Sequence, residues 1–315
     1  MKYITGITDY KIEKPTAISL GKFDGIHKGH RCLVNDILRL KDKYSTVIYT
    51  FDMNPAAKVS GNKEKLLTTN FERKELLDSL GIDYLIECPF NDIIRNMDAK
   101  DFLKKIVKEL SVKYIAVGED CRFGHNRVGD CNMLIEMSKE LGYEIKVFPK
   151  EKYNERDISS TFIREEILKG NIKRANELLG YSYSFEGIVE HGSMLGRKIG
   201  FPTINIVPPS NKILPPNGVY VSKVVIDNEI YDGVTNIGVK PTVNSDNKKN
   251  AETFIIDFNK DVYGKFITVE LLDFIRYEQK FESIEILKKQ LAVDIKTAKE
   301  KAKYYKNVTR WFDIS

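Results

Sequence analysis

The chain has 315 residues, with 50 Lys+Arg against 45 Asp+Glu and a formal net charge of +5. That length favours two domains, and 42% hydrophobic with 30% charged residues excludes a chain that is mainly disordered. Five surplus cations over so long a chain do not indicate a nucleic-acid partner and suit small anionic ligands.

In chain order, the first ~180 residues alternate short apolar runs with helical patterns, which predicts βα units around a parallel sheet. The runs are Ala17–Leu20, Val47–Phe51, Tyr84–Ile86, Tyr114–Val117 and Glu144–Phe148. A helix is expected from about Lys28 to Lys43. In another, Phe102, Leu103, Ile106, Val107 and Leu110 share one face behind acidic Asp98 and Asp101. Gly170 and Gly180 fall where helices prefer to end. After Tyr181 strand-like runs follow one another: Phe185–Glu190, Gly218–Ile226, Glu229–Asn236, Glu252–Phe258 and Phe266–Leu272. They predict a small antiparallel barrel or sandwich. A last helix, with Ile284, Leu287, Leu291, Ile295, Ala298 and Ala302 at steps of three or four, is expected to dock on it. The boundary is placed near 180–184, giving domains 1–182 and 183–315. The four cysteines (Cys32, Cys88, Cys121, Cys131) form no CxxC pair, the first ten residues lack the apolar core of a signal peptide, and no run approaches the ~18 apolar residues of a membrane span. A cytoplasmic protein without membrane contact is expected; composition carries no signal of oligomeric state.

Chemistry concentrates in glycine-rich turns. Gly21-Lys22-Phe23-Asp24-Gly25-Ile26-His27-Lys28-Gly29-His30 joins a predicted strand to a predicted helix, where free backbone N–H groups favour a phosphate. His27 and His30, three residues apart, share one face and can hydrogen-bond or charge-stabilise phosphoryl oxygens. Alone, this is equally well a tight turn with two exposed histidines. Ile158-Ser159-Ser160-Thr161-Phe162-Ile163-Arg164 opens a later helix. Its hydroxyls cap a helix or meet an anion, and Arg164 adds a guanidinium one turn on.

HxGH near the start of a parallel αβ domain and ISSTxxR at its end together resemble the nucleotidylyltransferase superfamily. Val117-Gly118-Glu119-Asp120-Cys121-Arg122-Phe123-Gly124 is similar to the GxDFxFG stretch of bacterial FAD synthetases, and Phe71, Phe90 and Phe102 fall where that family has them. Gly192-Ser193-Met194-Leu195-Gly196-Arg197-Lys198-Ile199-Gly200-Phe201-Pro202-Thr203-Ile204-Asn205 resembles the flap and PTAN motif of riboflavin kinases. Asn217–Tyr220, Gly233–Thr242, Glu252 before Tyr263-Gly264, and Ile275–Phe281 follow in that family's order. The resemblance spans nearly the whole chain and is to the bifunctional bacterial riboflavin kinase/FMN adenylyltransferases.

It implies an N-terminal nucleotidylyltransferase domain with a Rossmann-like parallel sheet and a C-terminal antiparallel β-barrel with a terminal helix. Riboflavin would be phosphorylated by ATP in the second, with Glu252 as general base and Mg²⁺ held by the Thr203 hydroxyl and the Asn205 side-chain oxygen. FMN would be adenylylated by ATP in the first, with His27, His30, Ser160 and Arg164 stabilising the negative charge on the leaving pyrophosphate. Nucleotide contacts are implied at Gly21, Phe23, Asp24, Gly25, Gly29, Asp120, Ser159, Ser160, Thr161, Arg164, Gly192, Gly196, Gly200 and Pro202. Flavin contacts are implied at Asn54, Arg276, Glu278 and Phe281. The chain departs from the pattern at Lys22 for Asn, Ile204 for Ala, Cys121 for an aromatic, and Asp52-Met53-Asn54 where the family tends to have Glu-Pro-His. Ile204 should point away from the ligand of Thr203 and Asn205, because strand side chains alternate. Three other readings fit parts of the pattern: one active and one decayed half, a cytidylyl- or pantetheine-type transferase with an unrelated barrel, and a flavin-binding regulator.

Overall fold

A computed structural model describes residues 1–52, 65–192, 195–239 and 249–305, and its contacts divide the chain into two compact units, Met1–Ser160 and Thr161–Ser315. The first is a six-stranded parallel sheet of β1 (Lys2–Thr5), β2 (Thr16–Leu20), β3 (Ser45–Phe51), β4 (Tyr84–Cys88), β5 (Val112–Gly118) and β6 (Glu144–Phe148). Their order is β1-β4-β3-β2-β5-β6. Every residue of β2 is buried, as expected of a central parallel strand covered on both faces. The chain runs from β2 outward through β3 and β4, then returns to the other side of β2 for β5. The direction therefore switches beside β2, and such crevices at the carboxyl ends of strands are where open αβ sheets bind ligands.

The expected helix is Ala99–Glu109: Asp98 caps it by accepting from the N–H of Lys100 and Asp101, and it buries Phe102, Leu103, Ile106 and Val107. Lys28–Leu38 is shorter than expected. Beyond it, Leu40, Lys41 and Lys43 donate to carbonyls three residues back, so the pattern to Lys43 continues as tight turns. β1 escaped the sequence reading because it is short and half-exposed at the sheet edge. Two two-residue strands, β7 (Lys152–Tyr153) and β8 (Arg156–Asp157), make a small hairpin before the next helix, Ser160–Leu168.

The second unit is a six-stranded antiparallel sheet of β9 (Tyr183–Ile188), β10 (Thr203–Ile206), β11 (Gly218–Ile226), β12 (Glu229–Val239), β13 (Lys249–Ile255) and β14 (Phe266–Tyr277). The order is β10-β13-β12-β11-β14-β9. Its two edges curl toward each other: Glu190 N–H donates to the Asn205 carbonyl at 2.8 Å, and a Cβ at Gly187 would lie 2.5 Å from Ile206 Cγ2. One face lines the interior with Phe185, Ile206, Val224, Ile237, Val269 and Leu271, all fully buried. The other face carries Val219, Val221 and Val234 against Ala298 and Ala302 of the last helix, Ile284–Ala302.

That helix docks differently from its sequence pattern. Ile284 is 49% exposed, and Asp294 is buried instead, paired with Arg276 through contacts of 3.0 and 2.7 Å. Helix Ile172–Leu179 also belongs to this unit: Asn176 donates to the Leu271 carbonyl at 2.8 Å and accepts from Tyr183 N–H at 2.7 Å. The compact unit therefore starts about twenty residues ahead of the change in texture near 180–184. No helix among the described residues is long and apolar enough to cross a membrane.

Two candidate active sites

In the first unit the chain leaves β2 and turns through 21–27. Phe23, Gly25 and Ile26 all have positive φ, at 49°, 85° and 36°. Phe23 and Ile26 adopt this conformation only because the surroundings over-determine it. Asp24 Oδ1 accepts from the N–H of Leu67 and Thr68 at 3.0 Å each, Gly25 N–H donates to Thr68 Oγ1 at 3.0 Å, and Ser160 Oγ donates to the Asp24 carbonyl at 2.9 Å. The Asp24 carboxylate is thus buried and engaged with its own protein, shaping the turn that its neighbours line.

His27 is the N-cap of Lys28–Leu38. Its Nδ1 accepts from His30 N–H at 3.4 Å, which assigns the ring proton to Nε2. The two imidazoles stack with centroids 3.8 Å apart, and Phe23 lies 5.1 Å from His30. Burial pushes His27 down to about 4, with the Asp120 carboxylate opposing. Burial, then the neighbouring His27, holds His30 well below the ordinary imidazole range. Both rings are therefore neutral at pH 7, and a neutral imidazole keeps one N–H to donate. Nδ1 of His30 is buried without a hydrogen-bond partner among the described residues.

A Cβ at Gly29 would lie 3.3 Å from the His27 ring, and one at Gly21 3.2 Å from Phe23, so both glycines leave room for aromatic neighbours. Asp120 is an exposed side chain after β5, 3.4 Å from Lys150 Nζ. Ser159 immediately precedes the helix Ser160–Leu168; Thr161 and Arg164 follow on it, in the second unit. The rings of Phe90, Phe51, Phe102 and Phe123 form a continuous row with successive centroids 5.3, 6.1 and 6.0 Å apart. Phe90 is partly exposed at its end, giving the unit an apolar surface beyond the carboxyl ends of β3 and β4. Asn54 lies outside the described residues.

In the second unit the sheet register does what the turn does in the first. Asn205 on β10 stands opposite Glu252 on β13, and Glu252 stands opposite Asn236 on β12. Opposed residues point to one face, as do residues two apart along a strand. Thr203, Asn205, Glu252 and Asn236 therefore share a face, while Ile204, opposite Thr253, turns to the interior as expected. There Thr253, Thr235 and Ser222 make a hydroxyl ladder with 2.8 Å steps. Sequence alone puts Glu252 at the start of its strand, after a solvated turn. The strand starts at Lys249, so Glu252 lies within it, and Asn250 is 4% exposed.

The glycine loop closes on this face. A Cβ at Gly192 would overlap the Asn205 amide, and one at Gly196 would overlap the Phe201 carbonyl and come within 3.3 Å of Thr203 Oγ1. Gly200 has φ 88°, which turns the chain through Phe201 and Pro202 into β10. A hydroxyl and an amide oxygen beneath close-approaching backbone are hard oxygen donors, which fits Mg²⁺. Glu278 accepts from Asn217 Nδ2 and Asn236 Nδ2, each at 3.1 Å, and Arg276, besides its pair with Asp294, lies 5.7 Å from the Phe281 ring centre. Sequence alone does not single out Asn236, Asn217 or Asn250 as site residues. The signal for Asn250 was its spacing of two from Glu252.

The chain matches two protein-family models, FAD synthetase over residues 9–162 and riboflavin kinase over 179–302. Among curated relatives, the bifunctional riboflavin kinase/FMN adenylyltransferase of Buchnera aphidicola subsp. Acyrthosiphon pisum is 37% identical over 98% of this chain and all of its own length. Those of Escherichia coli K12 and Bacillus subtilis 168 are 34% and 33% identical, over 95% and 94% of this chain and 97% and 94% of their own. A crystal structure described as a macrolide-efflux protein from Streptococcus pneumoniae superposes with a TM-score of 0.86 at 31% identity, covering 94% of this chain and 98% of that one.

Proposed function

The chain belongs to the bifunctional riboflavin kinase/FMN adenylyltransferase family, and on that premise we propose which of its residues carry each reaction. It phosphorylates riboflavin with ATP to FMN in its C-terminal half, then adenylylates FMN with ATP to FAD and pyrophosphate in its N-terminal half.

For the kinase, the observation that carries the assignment is the cross-strand row Asn205–Glu252–Asn236 under the glycine loop. Glu252 takes the proton of the ribityl 5′-hydroxyl as its oxygen bonds to the γ-phosphorus of ATP, and the bond to the departing ADP breaks. Thr203 Oγ1 and Asn205 Oδ1 are the residues that would hold Mg²⁺, which when bound neutralises charge on the phosphates. The backbone at Gly192 and Gly196 follows the phosphates closely because no side chain intervenes. Arg276, Glu278 and Phe281 form the flavin side, with Glu278 fixed by Asn217 and Asn236.

For the adenylyl transfer, a phosphate oxygen of FMN attacks the α-phosphorus of ATP and pyrophosphate leaves, so no nucleophilic side chain is required. His27, through Nε2–H, and His30 donate to the oxygens on which charge accumulates, in a site preorganised by the strained turn. Ser160 fixes that turn through the Asp24 carbonyl. Glu119–Asp120 and the aromatic row from Phe90 to Phe123 border the remaining space for nucleotide and flavin.

Glu252→Gln tests the kinase half, because it keeps the shape and removes the proton acceptor. The variant should bind riboflavin and ATP, lose ~10²–10⁴ in FMN formation, and convert supplied FMN to FAD at the parental rate. Undiminished riboflavin phosphorylation would remove Glu252 from this role.

A further inference from the structure

Asn250 lies on β13 two residues before Glu252 and is 4% exposed. Its Nδ2 donates to Asn205 Oδ1 at 3.1 Å and stands 3.5 Å from Glu252 Oε1, a long contact. It therefore reaches both the residue assigned to the metal side and the residue assigned to the proton. Its own Oδ1 is buried and has no hydrogen-bond partner among the described residues. A buried acceptor left unsatisfied is costly, and each one calls for an explanation, of which a bound ligand or ordered water is one. A residue needed only for folding would more simply be apolar here, as Ala251 and Ile255 are on the opposite face.

We propose that Asn250 is a positioning residue of the kinase site: one amide holds the Asn205 oxygen toward the metal and the Glu252 carboxylate toward the substrate hydroxyl, and its free oxygen accepts a hydrogen from substrate or ordered water. The proposal rests on the assignment of Glu252 and Asn205 made above. Without the amide donor, Asn205 and Glu252 lose a common reference, so the alignment of hydroxyl, phosphorus and metal-side oxygen loosens while the flavin contacts stay in place. Small misplacements of this kind act on turnover more than on binding.

The test uses the full chain with Asn250→Ala, and with Asn250→Asp as a variant of nearly equal volume that removes the N–H donors. Both should lower kcat for riboflavin phosphorylation by ~10–100-fold, leave the riboflavin KM within about twofold, and leave FMN adenylylation unchanged. With ADP present, Asn250→Ala should weaken Mn²⁺ binding several-fold, read from the paramagnetic resonance of free Mn²⁺, an observable independent of turnover. Placed on Glu252→Gln, Asn250→Ala should cost much less than it does alone, because residues acting through one another are not additive.

Parental kcat in a folded Asn250→Asp protein, or full additivity with Glu252→Gln, would overturn the proposal. If Asn250→Ala fails to fold, Asn250→Asp decides on the same kcat and KM readouts. An unimpaired Glu252→Gln enzyme would instead remove the underlying assignment of Glu252. The two failures are therefore distinguishable.

Discussion

As proposed, the two sites solve one problem, holding polar groups against phosphate, by different means. In the first unit the precision lies in the backbone: three positive-φ residues within four positions, clamped by Asp24, Thr68 and Ser160, aim the loop and the first turn of a helix. In the second it lies in strand register, which sets Thr203, Asn205, Glu252 and Asn236 on one face without backbone strain at any of them. A loop site concentrates its residues in one short stretch of chain, whereas a sheet site gathers them from three strands. The first should tolerate change outside its motif except at Thr68 and Ser160, which clamp it; the second should be sensitive to any residue that shares its face.

The largest expected difference comes from the histidines. Together, His27→Ala and His30→Ala should lower FAD formation from FMN by at least ~10²–10³, while FMN formation from riboflavin continues at the parental rate. Product chromatography with each flavin supplied separately would read this. Retained FAD synthesis would mean that the turn alone organises the site.

A smaller effect is expected from one methyl group in the second unit. Gly192→Ala places a Cβ onto the Asn205 amide, which must swing away from its position beside Thr203. The kinase should lose up to ~10² in kcat with the riboflavin KM nearly unchanged. Adenylylation should be untouched. A normal kinase would show that the glycine loop stands clear of Asn205 when substrates are bound.

The smallest effect is on stability, and it has opposite signs in the two units. His27 titrates near 4 in the folded chain, below the ordinary 6.5, because of burial. The unfolded state then binds more protons between these values, so the first unit loses stability as pH falls from 6.5 toward 4. Glu270, opposite Lys223 and buried with neither carboxylate oxygen bonded among the described residues, is pushed up to about 8 from 4.5 by burial, against the pull of Lys223. The folded state keeps a proton there that the unfolded state releases, so the second unit loses stability as pH rises from 4.5 through 8. Glu270→Gln should abolish that second dependence and gain on the order of a few kcal/mol above pH 8. Calorimetry of the parent and variant across pH would show it; parallel pH profiles would contradict it.

Much of this was legible in the sequence, for identifiable reasons. The apolar runs of β2 to β5 read cleanly because buried parallel strands are nearly continuously hydrophobic, edge strand β6 reads because its apolar residues alternate with Glu144 and Lys146, and the HxGH turn reads because its residues are contiguous. The capped helix at Ala99–Glu109 and the glycine-ended helices before Gly170 and Gly180 followed from local chemistry. What stayed hidden depends on neighbours distant in sequence. Asn250 looks like part of a polar turn until β10 supplies Asn205, and nothing in the sequence shows that Asp24 Oδ1 accepts from Leu67 and Thr68. The buried Asp294 interrupts an apolar stripe because Arg276 meets it from β14.

The central claim is that two separate residue sets carry two successive reactions. It is tested most directly by mixing two disabled full-length proteins, Glu252→Gln and the His27→Ala/His30→Ala double variant, with riboflavin, ATP and Mg²⁺. The account predicts that the double variant alone accumulates FMN, that Glu252→Gln alone makes almost no FAD, and that the mixture makes FAD through FMN released into solution. FAD from riboflavin at the parental rate with either protein alone, or none from the mixture, would contradict it.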